Sequence, residues 1–333
     1  LVNLRQAVAS GAIAAPDVHP MGFIDQRGPY SAPTGRLVET LEQARAAVRA
    51  YAAEGHVGIK LYSSINPSWV PVLASDAREL GLRTAGHIPA YMSPAQAIEV
   101  GYNEITHINM MLLQLIGDWT IDTRTPQRFI VPGVRGGGVD VHSAQTDAFL
   151  DRMAQKDIAH DPTLATFMNQ YRSRPGEFAP STAAYADHLP PSLRRSFIQS
   201  AGYNAGNEAA FLKTGQNALK LIKRLHQRGI KILPGTDAFL PGFALVSELE
   251  CYAEAGIPIA DILRMATLGA AEHLGRSDTL GSIDVGKHAY LMLIDGDPTR
   301  DLSALRRVEL VVKGRDLFRS RDILAAHGIR PFF

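Results

Sequence analysis

Four residues, Lys60, His87, His107 and Asp237, each close a short apolar run: GIKLY, TAGH, EITH and KILPGTD. Two imidazoles and a carboxylate are borderline-to-hard ligands that suit zinc, with manganese or cobalt as alternatives. A divalent metal so held lowers the pKa of bound water and polarises a substrate carbonyl. Asp237 is of the right type to take a proton from that water and pass it to a leaving amine. Lys60 is the odd member, because a free ammonium repels a cation. Either this lysine stands outside the site, or its amine has combined with carbon dioxide to give a carbamate, an anionic ligand able to bridge two metals. Each residue alone has a plain structural explanation. Asp237 in Gly-Thr-Asp-Ala suits a turn or helix cap, and a lone lysine usually snorkels to solvent. Most of the 11 histidines should serve the surface or the core. Four such residues in this order, each at the end of a strand-like run, point to a metal site.

Lesser candidates surround them. Tyr62, Ser63 and Ser64 continue from Lys60 into a loop, where they would contact substrate or hold the loop by hydrogen bonds. Arg124 and Arg128 have the planar fork that grips a substrate carboxylate bidentately, against the alternative of a solvated role. His160 and Asp161 end another strand-like run, and Asp-Pro equally suits a turn. Cys251, Met110 and Met111 read as packing residues. The pair Arg306-Arg307 reads as part of a solvated face.

These residues need strands and helices to position them. Strand patterns are expected at 16–24, 57–62, 82–87, 103–107, 157–161 and 230–234. Between them lie helical patterns. Leu37, Leu41, Ala44, Val48 and Tyr51 form one stripe over 37–54, which Gly55 ends. Further helices are expected at 68–80, near 143–155, at about 205–228, and at 244–255 and 259–273. Ser93-Pro94-Ala95-Gln96 is a capping box that opens another. Repeated β–α alternation predicts a parallel sheet, and polar residues at several strand ends favour a barrel, whose chemistry collects at the carboxyl ends of its strands. Segments near 110–140 and 171–200 break the rhythm and read as insertions that shape a pocket. After Leu280 the runs GSI, AYLMLI and VELVVKG read as short strands. The expected division is a barrel over 1–279 and a β appendage over 280–333.

The 333 residues are 46% hydrophobic and 20% charged, enough for a large core. The net charge of +1 leaves no electrostatic footprint for nucleic acid or an acidic membrane. No apolar run reaches the roughly 20 residues of a membrane span. One cysteine excludes an internal disulfide. The chain opens Leu-Val-Asn inside a helix-like stretch, as expected of a fragment or processed chain, and its compartment is left unassigned.

The segments GIKLYSS, AGHIPA, EITHIN, LPGTDA, PGFALVSELECYAEAGIPIADILRMATLGAAEHLG and LGSIDVGKHAYLMLIDGDP run from about Leu4 to Arg315. Together they resemble the metal-dependent amidohydrolase superfamily, in its imidazolonepropionase and prolidase-like branch. The resemblance implies a distorted (β/α)8 TIM-type barrel with a small composite β-sandwich at the C-terminus. It also implies hydrolysis of amide-type C–N bonds by metal-activated water, with one or two divalent ions, zinc foremost. By position, Lys60 resembles the carbamate-bearing lysine that bridges a binuclear centre. His87 and His107 resemble the metal-binding histidines of strands five and six, and Asp237 the strand-eight aspartate that binds metal and shuttles the proton. The family's strand-one His-x-His motif is absent, and strand two and half of the sandwich are expected to be missing with it. Val246 stands where a histidine is common, and Ala289-Tyr290-Leu291 where Ala-Asp-Leu is. The expected partner is a small-molecule or short-peptide substrate, with no nucleic acid and no membrane span, a homo-oligomer being left open. Dipeptidase or prolidase-like activity, lactonase activity, or an inactive ligand-binding homologue are the alternatives.

Overall fold

A computed structural model describes every residue except 1, 199–201, 239, 241 and 333. The chain divides into two compact units, one made of residues 1–132 and 144–160, the other of 133–143 and 161–333.

The first unit is built on parallel strands. β1 (Met21–Gln26), β2 (Arg36–Val38), β3 (Gly58–Leu61) and β4 (Arg83–Gly86) form one sheet in the order β2-β1-β3-β4. β5 (Glu104–Thr106) pairs with β6 (Ala159–Asp161). Asn103 ties the entry of β5 to β4, donating its N–H to the Thr84 carbonyl while its side chain accepts from Thr84 N, both at 2.9 Å. Helices cover the sheet with stripes at helical spacing. Leu41–Ala53 buries Ala44, Ala47, Val48 and Tyr51, and Val70–Glu79 buries Val70, Leu73, Ala74 and Ala77. The Tyr51 hydroxyl donates to the Phe23 carbonyl of β1 at 2.8 Å, which locks helix to strand.

The second unit is mostly helical and carries an antiparallel sheet. The longest helix, Glu208–Gln227, buries Phe211, Thr214, Ala218, Leu221, Ile222 and Leu225 on one face. β7 (Tyr290–Ile294), β8 (Val308–Lys313) and β9 (Asp316–Arg319) form the antiparallel sheet. Among the described residues, no helix is long and apolar enough to cross a membrane.

Several expectations need correction. The first strand begins at Met21 rather than residue 16. Its pairing starts where Val57 donates to the Pro20 carbonyl, and Pro16 and Pro20 bring no N–H to a ladder. Leu37 belongs to β2, not to the helix. Thr40 is the N-cap, its side chain accepting from Gln43 N at 3.2 Å, so the helix starts at Leu41. Residues 230–234 form no strand: only Ile232 makes a bridge, and Pro234 removes a ladder donor. GSI is not a strand either, with Ile283 86% exposed. The helical run at 259–273 is continuous but widens into a π turn over Met265–Gly269. Arg306 is not part of a solvated face. Its side chain is 6% exposed and bidentate to Glu250, at 2.5 and 2.6 Å, whereas Arg307 remains about one-third exposed. Met110 and Met111 are packed as expected, each 1% exposed.

Candidate active site

In the first unit, alternation along β3 buries Ile59 and Leu61 completely and leaves Lys60 partly exposed. His87 follows β4 directly and extends the ladder, its N–H donating to the Leu61 carbonyl at 3.0 Å. The residue before it has to be glycine. Gly86 has φ +123°, and a Cβ there would lie 2.3 Å from the Leu61 carbonyl oxygen. His107 stands between β5 and the buried helix Ile108–Ile116 at φ 75°, ψ 128°. That conformation is sparsely populated by L-residues and costs on the order of 1–3 kcal/mol, a strain that collects at functional sites.

This placement brings His87 and His107 together. Their rings meet edge to face, with centroids 4.7 Å apart at 83°. Tyr62 lies over His87 at 3.9 Å, and Arg128 sits 5.9 Å above the Tyr62 ring. His87 Nδ1 and Ser63 Oγ share a hydrogen bond of 2.9 Å, and the Tyr102 hydroxyl donates to the His87 carbonyl at 2.8 Å. Both imidazoles are driven well below the ordinary histidine range. Burial is the main cause for each. His107, Lys60 and Arg128 add to it for His87, and Lys60, His160 and Arg128 for His107. They are therefore neutral at pH 7, the form that binds metal.

His160 adds a third buried ring. Its Nδ1 lies 2.8 Å from the Ile105 carbonyl, which only accepts, so Nδ1 carries the proton. Nε2 keeps its lone pair, is buried, and meets no hydrogen-bond partner. Burial pushes this imidazole down to about 4. Even so, among the described residues no three His, Cys, Asp or Glu side chains are grouped to hold a metal ion. The donor chemistry fits a metal at His87 and His107, with Lys60 beside them as the remaining candidate ligand.

The other first-unit candidates are placed as follows. Arg124 holds Asp122 with Nε and Nη2, both at 2.8 Å, and reaches the Tyr91 hydroxyl at 3.3 Å. Arg128 donates to the Arg124 carbonyl at 3.0 Å and lies over Phe129. Ser64 is fixed by its backbone. Its N–H donates to Asp25 Oδ1 at 3.0 Å.

Asp25 is the residue that sequence reading missed. It is wholly buried near the end of β1 and also accepts from Gln26 N at 3.0 Å and Ala32 N at 2.9 Å. Burial nevertheless raises its pKa. The carboxylate joins the 26–32 loop to the loop that carries Ser63. An aspartate after an apolar strand was the available signal, masked by the more conspicuous Lys60. We expect Asp25→Ala to cost about 2 kcal/mol, because three amides lose their acceptor. Urea unfolding checks this, and an unchanged midpoint would remove Asp25 from its joining role.

Asp237 belongs to the second unit. It follows the single bridge at Ile232 and has φ 45°, a left-handed conformation that aspartate tolerates better than most residues. In the turn before it, a Cβ on Gly235 would lie 2.0 Å from the Asp161 carboxylate, so a larger residue there would have to displace that side chain. Thr166, one turn into the helix Leu164–Arg172, donates to the Thr236 carbonyl at 2.7 Å. Asp237 lines a cavity of about 550 Å³ together with that helix and the 171–200 segment. Burial pushes the Cys251 thiol far up, away from the thiolate form. Val246, which stands where the family resemblance places a histidine, is 7% exposed.

Residues 137–316 match the family model described as the amidohydrolase family. The match includes Asp237 and begins after Lys60, His87 and His107. A stretch of 79 residues is 39% identical to an adenine deaminase of Serratia proteamaculans (strain 568), covering 24% of this chain and 12% of that one. Among solved structures, a Xaa-Pro dipeptidase with bound methionine is similar at TM-score 0.63 and 21% identity, over 96% of this chain and 72% of its own. A bottromycin amidohydrolase is similar at TM-score 0.67 and 18% identity, over 99% and 72%. These structures share the fold.

Proposed function

Since the chain belongs to the amidohydrolase family, we propose that it hydrolyses amide-type C–N bonds of a small-molecule or short-peptide substrate with the help of one or two divalent ions, zinc foremost. The observation that carries this reading is the buried pair His87–His107, edge to face at 4.7 Å, with Lys60 close enough to act on both rings. His87 and His107 would hold the metal, and a carbamate on Lys60 would supply an anionic ligand. When bound, such an ion lowers the pKa of water and polarises a carbonyl. Ser63 orients the His87 ring through Nδ1, leaving Nε2 for a metal, as the outer hydrogen bond of a metal-ligating histidine commonly does. Tyr62, Ser64, Arg124 and Arg128 are proposed as substrate contacts. The Arg128 guanidinium above Tyr62 favours a role for that pair, whereas Arg124 is engaged with Asp122.

Asp237 enters from the sequence resemblance, as a metal ligand and as the residue that accepts the water proton and returns it to the leaving amine. The same reading extends to the architecture. Residues 1–279 are proposed as the distorted (β/α)8 barrel, with insertions at 110–140 and 171–200, and 280–333 as the β-sandwich portion. The parallel order β2-β1-β3-β4 and the antiparallel β7–β9 sheet support that division.

Zinc per chain, measured by elemental analysis on protein grown with zinc and bicarbonate, tests the assignment. We expect at least one zinc in the wild-type chain and near-complete loss in the His87→Ala/His107→Ala double variant. A wild-type chain without zinc would leave ligand binding without catalysis as the better reading.

A further inference from the structure

The second unit holds a further cavity, of about 370 Å³, lined by none of the residues assigned above to metal or substrate. That volume falls in the range of small-molecule sites. Its walls are apolar. Leu245 and Leu249 come from the helix Phe243–Glu254, Leu263 and Ala266 from the helical run after it, and Met292 and Val308 from β7 and β8. Ala266 belongs to the π turn Met265–Gly269, a rare departure from the α-helix that recurs at functional sites.

Among the described residues that line the cavity, Arg306 is the single charged one. Its side chain is 6% exposed and meets Glu250 end-on, Nη1 at 2.5 Å and Nη2 at 2.6 Å from the two carboxylate oxygens. Nη2 also donates to Ser247 Oγ at 3.2 Å. The far end of the guanidinium is thus satisfied and the Nε edge is left over. Nε is buried and meets no hydrogen-bond partner. Thr267 and Ser320, the other polar side chains of the wall, do not supply one. A buried N–H without an acceptor is uncommon in a folded chain and costs stability.

We propose that this cavity binds a neutral, mainly apolar small molecule with one carbonyl oxygen, and that Arg306 Nε–H donates to that oxygen. The ligand is neutral because Glu250 already balances the Arg306 charge. An anionic head would compete with the Glu250 carboxylate for one guanidinium and would give up its own hydration. The rest of the ligand is apolar because the Leu, Ala, Met and Val side chains of the wall offer it no hydrogen bonds. A pure hydrocarbon would leave Nε as it stands, so the carbonyl gives the site its selectivity.

2-Nonanone and octanoate test this. They match in size and shape, one ending in a methyl ketone and the other in a carboxylate, and neither carries an amide or ester bond to hydrolyse. In calorimetric titrations of the full chain, 2-nonanone is expected to saturate at one per chain and to bind about tenfold more tightly than octanoate, the worth of one hydrogen bond. Ala266→Phe, which fills the cavity, is expected to abolish binding of the ketone. Arg306→Lys keeps a cation for Glu250 but lacks the Nε–H, and is expected to narrow the ratio between the two ligands. Failure of 2-nonanone to saturate, equal or tighter binding of octanoate, or unchanged binding in Ala266→Phe would overturn the proposal. The comparison on the wild-type chain decides the matter even where Arg306→Lys fails to fold, and no result depends on metal or turnover.

Discussion

Asp237→Asn should lower kcat by about a hundred- to ten-thousand-fold, the usual contribution of a positioned general acid–base group. The substitution keeps the shape of the side chain and removes its ability to hold a proton in transit. Asparagine also accepts the left-handed backbone, φ 45° at this position, so the turn should survive. The loss therefore belongs to kcat and not to folding. Initial rates over a panel of dipeptides, N-acyl amino acids and lactones would be measured, with zinc determined on the same samples. Whichever class shows turnover in the wild type names the substrate type. Full activity of the variant at unchanged metal content would sink the assignment of Asp237.

Glu248 should make the protein less stable as the pH rises toward neutrality. It lies wholly buried on the helix Phe243–Glu254 and serves as a cap supplied from a distance. Its carboxylate accepts from Leu164 N at 2.8 Å and Ala165 N at 2.6 Å, the first amides of the helix Leu164–Arg172, and from the Tyr252 hydroxyl at 2.8 Å. Thr163, the residue before that helix, is in the left-handed region and makes no side-chain cap, so the orphan amides depend on Glu248. Loss of hydration outweighs these bonds and pushes the carboxyl up from 4.5 to about 7. A raised folded-state pKa means that the native state binds the proton more tightly than the unfolded chain. The stabilisation is complete below about pH 4.5 and is lost as the pH climbs through 7. The shift corresponds to about 3 kcal/mol. Urea unfolding from pH 4.5 to 8 should show this fall in the wild type and a flatter profile in Glu248→Gln, which cannot titrate. Parallel profiles would show that the carboxyl does not titrate in this range.

What was legible in the sequence was the part written in short-range patterns. An apolar run ending in a polar residue located His87 and His107 directly after strands, because alternation and burial act over neighbouring residues. The helix start at Leu41 was legible too, in Thr40 and Gln43, but the apolar stripe through Leu37 was the louder signal and the wrong one. The 230–234 run failed differently: its apolar content reflects burial of Ile230 and Ile232, not membership of a sheet. Glu248 and Arg306, and the tie of Asp25 to Ser64, were illegible for one shared reason. Each involves a charged side chain whose partner lies far along the chain, so its burial is decided by tertiary packing. Spacing alone gives no hint that Asp25 meets Ser64 or that Glu248 meets Leu164.

The way Asp25 grips its partners has an evolutionary consequence. It reads three backbone amides, those of Gln26, Ala32 and Ser64, and only at Ser64 does a side chain add to the contact. For the backbone part of the contact, the side chain at position 26, and any small one that fits at buried position 32, can change while the loops stay where they are, with proline as the one exclusion, since it has no N–H to offer. Related chains should therefore preserve a carboxylate at the end of this strand amid loops whose sequences have otherwise lost their likeness.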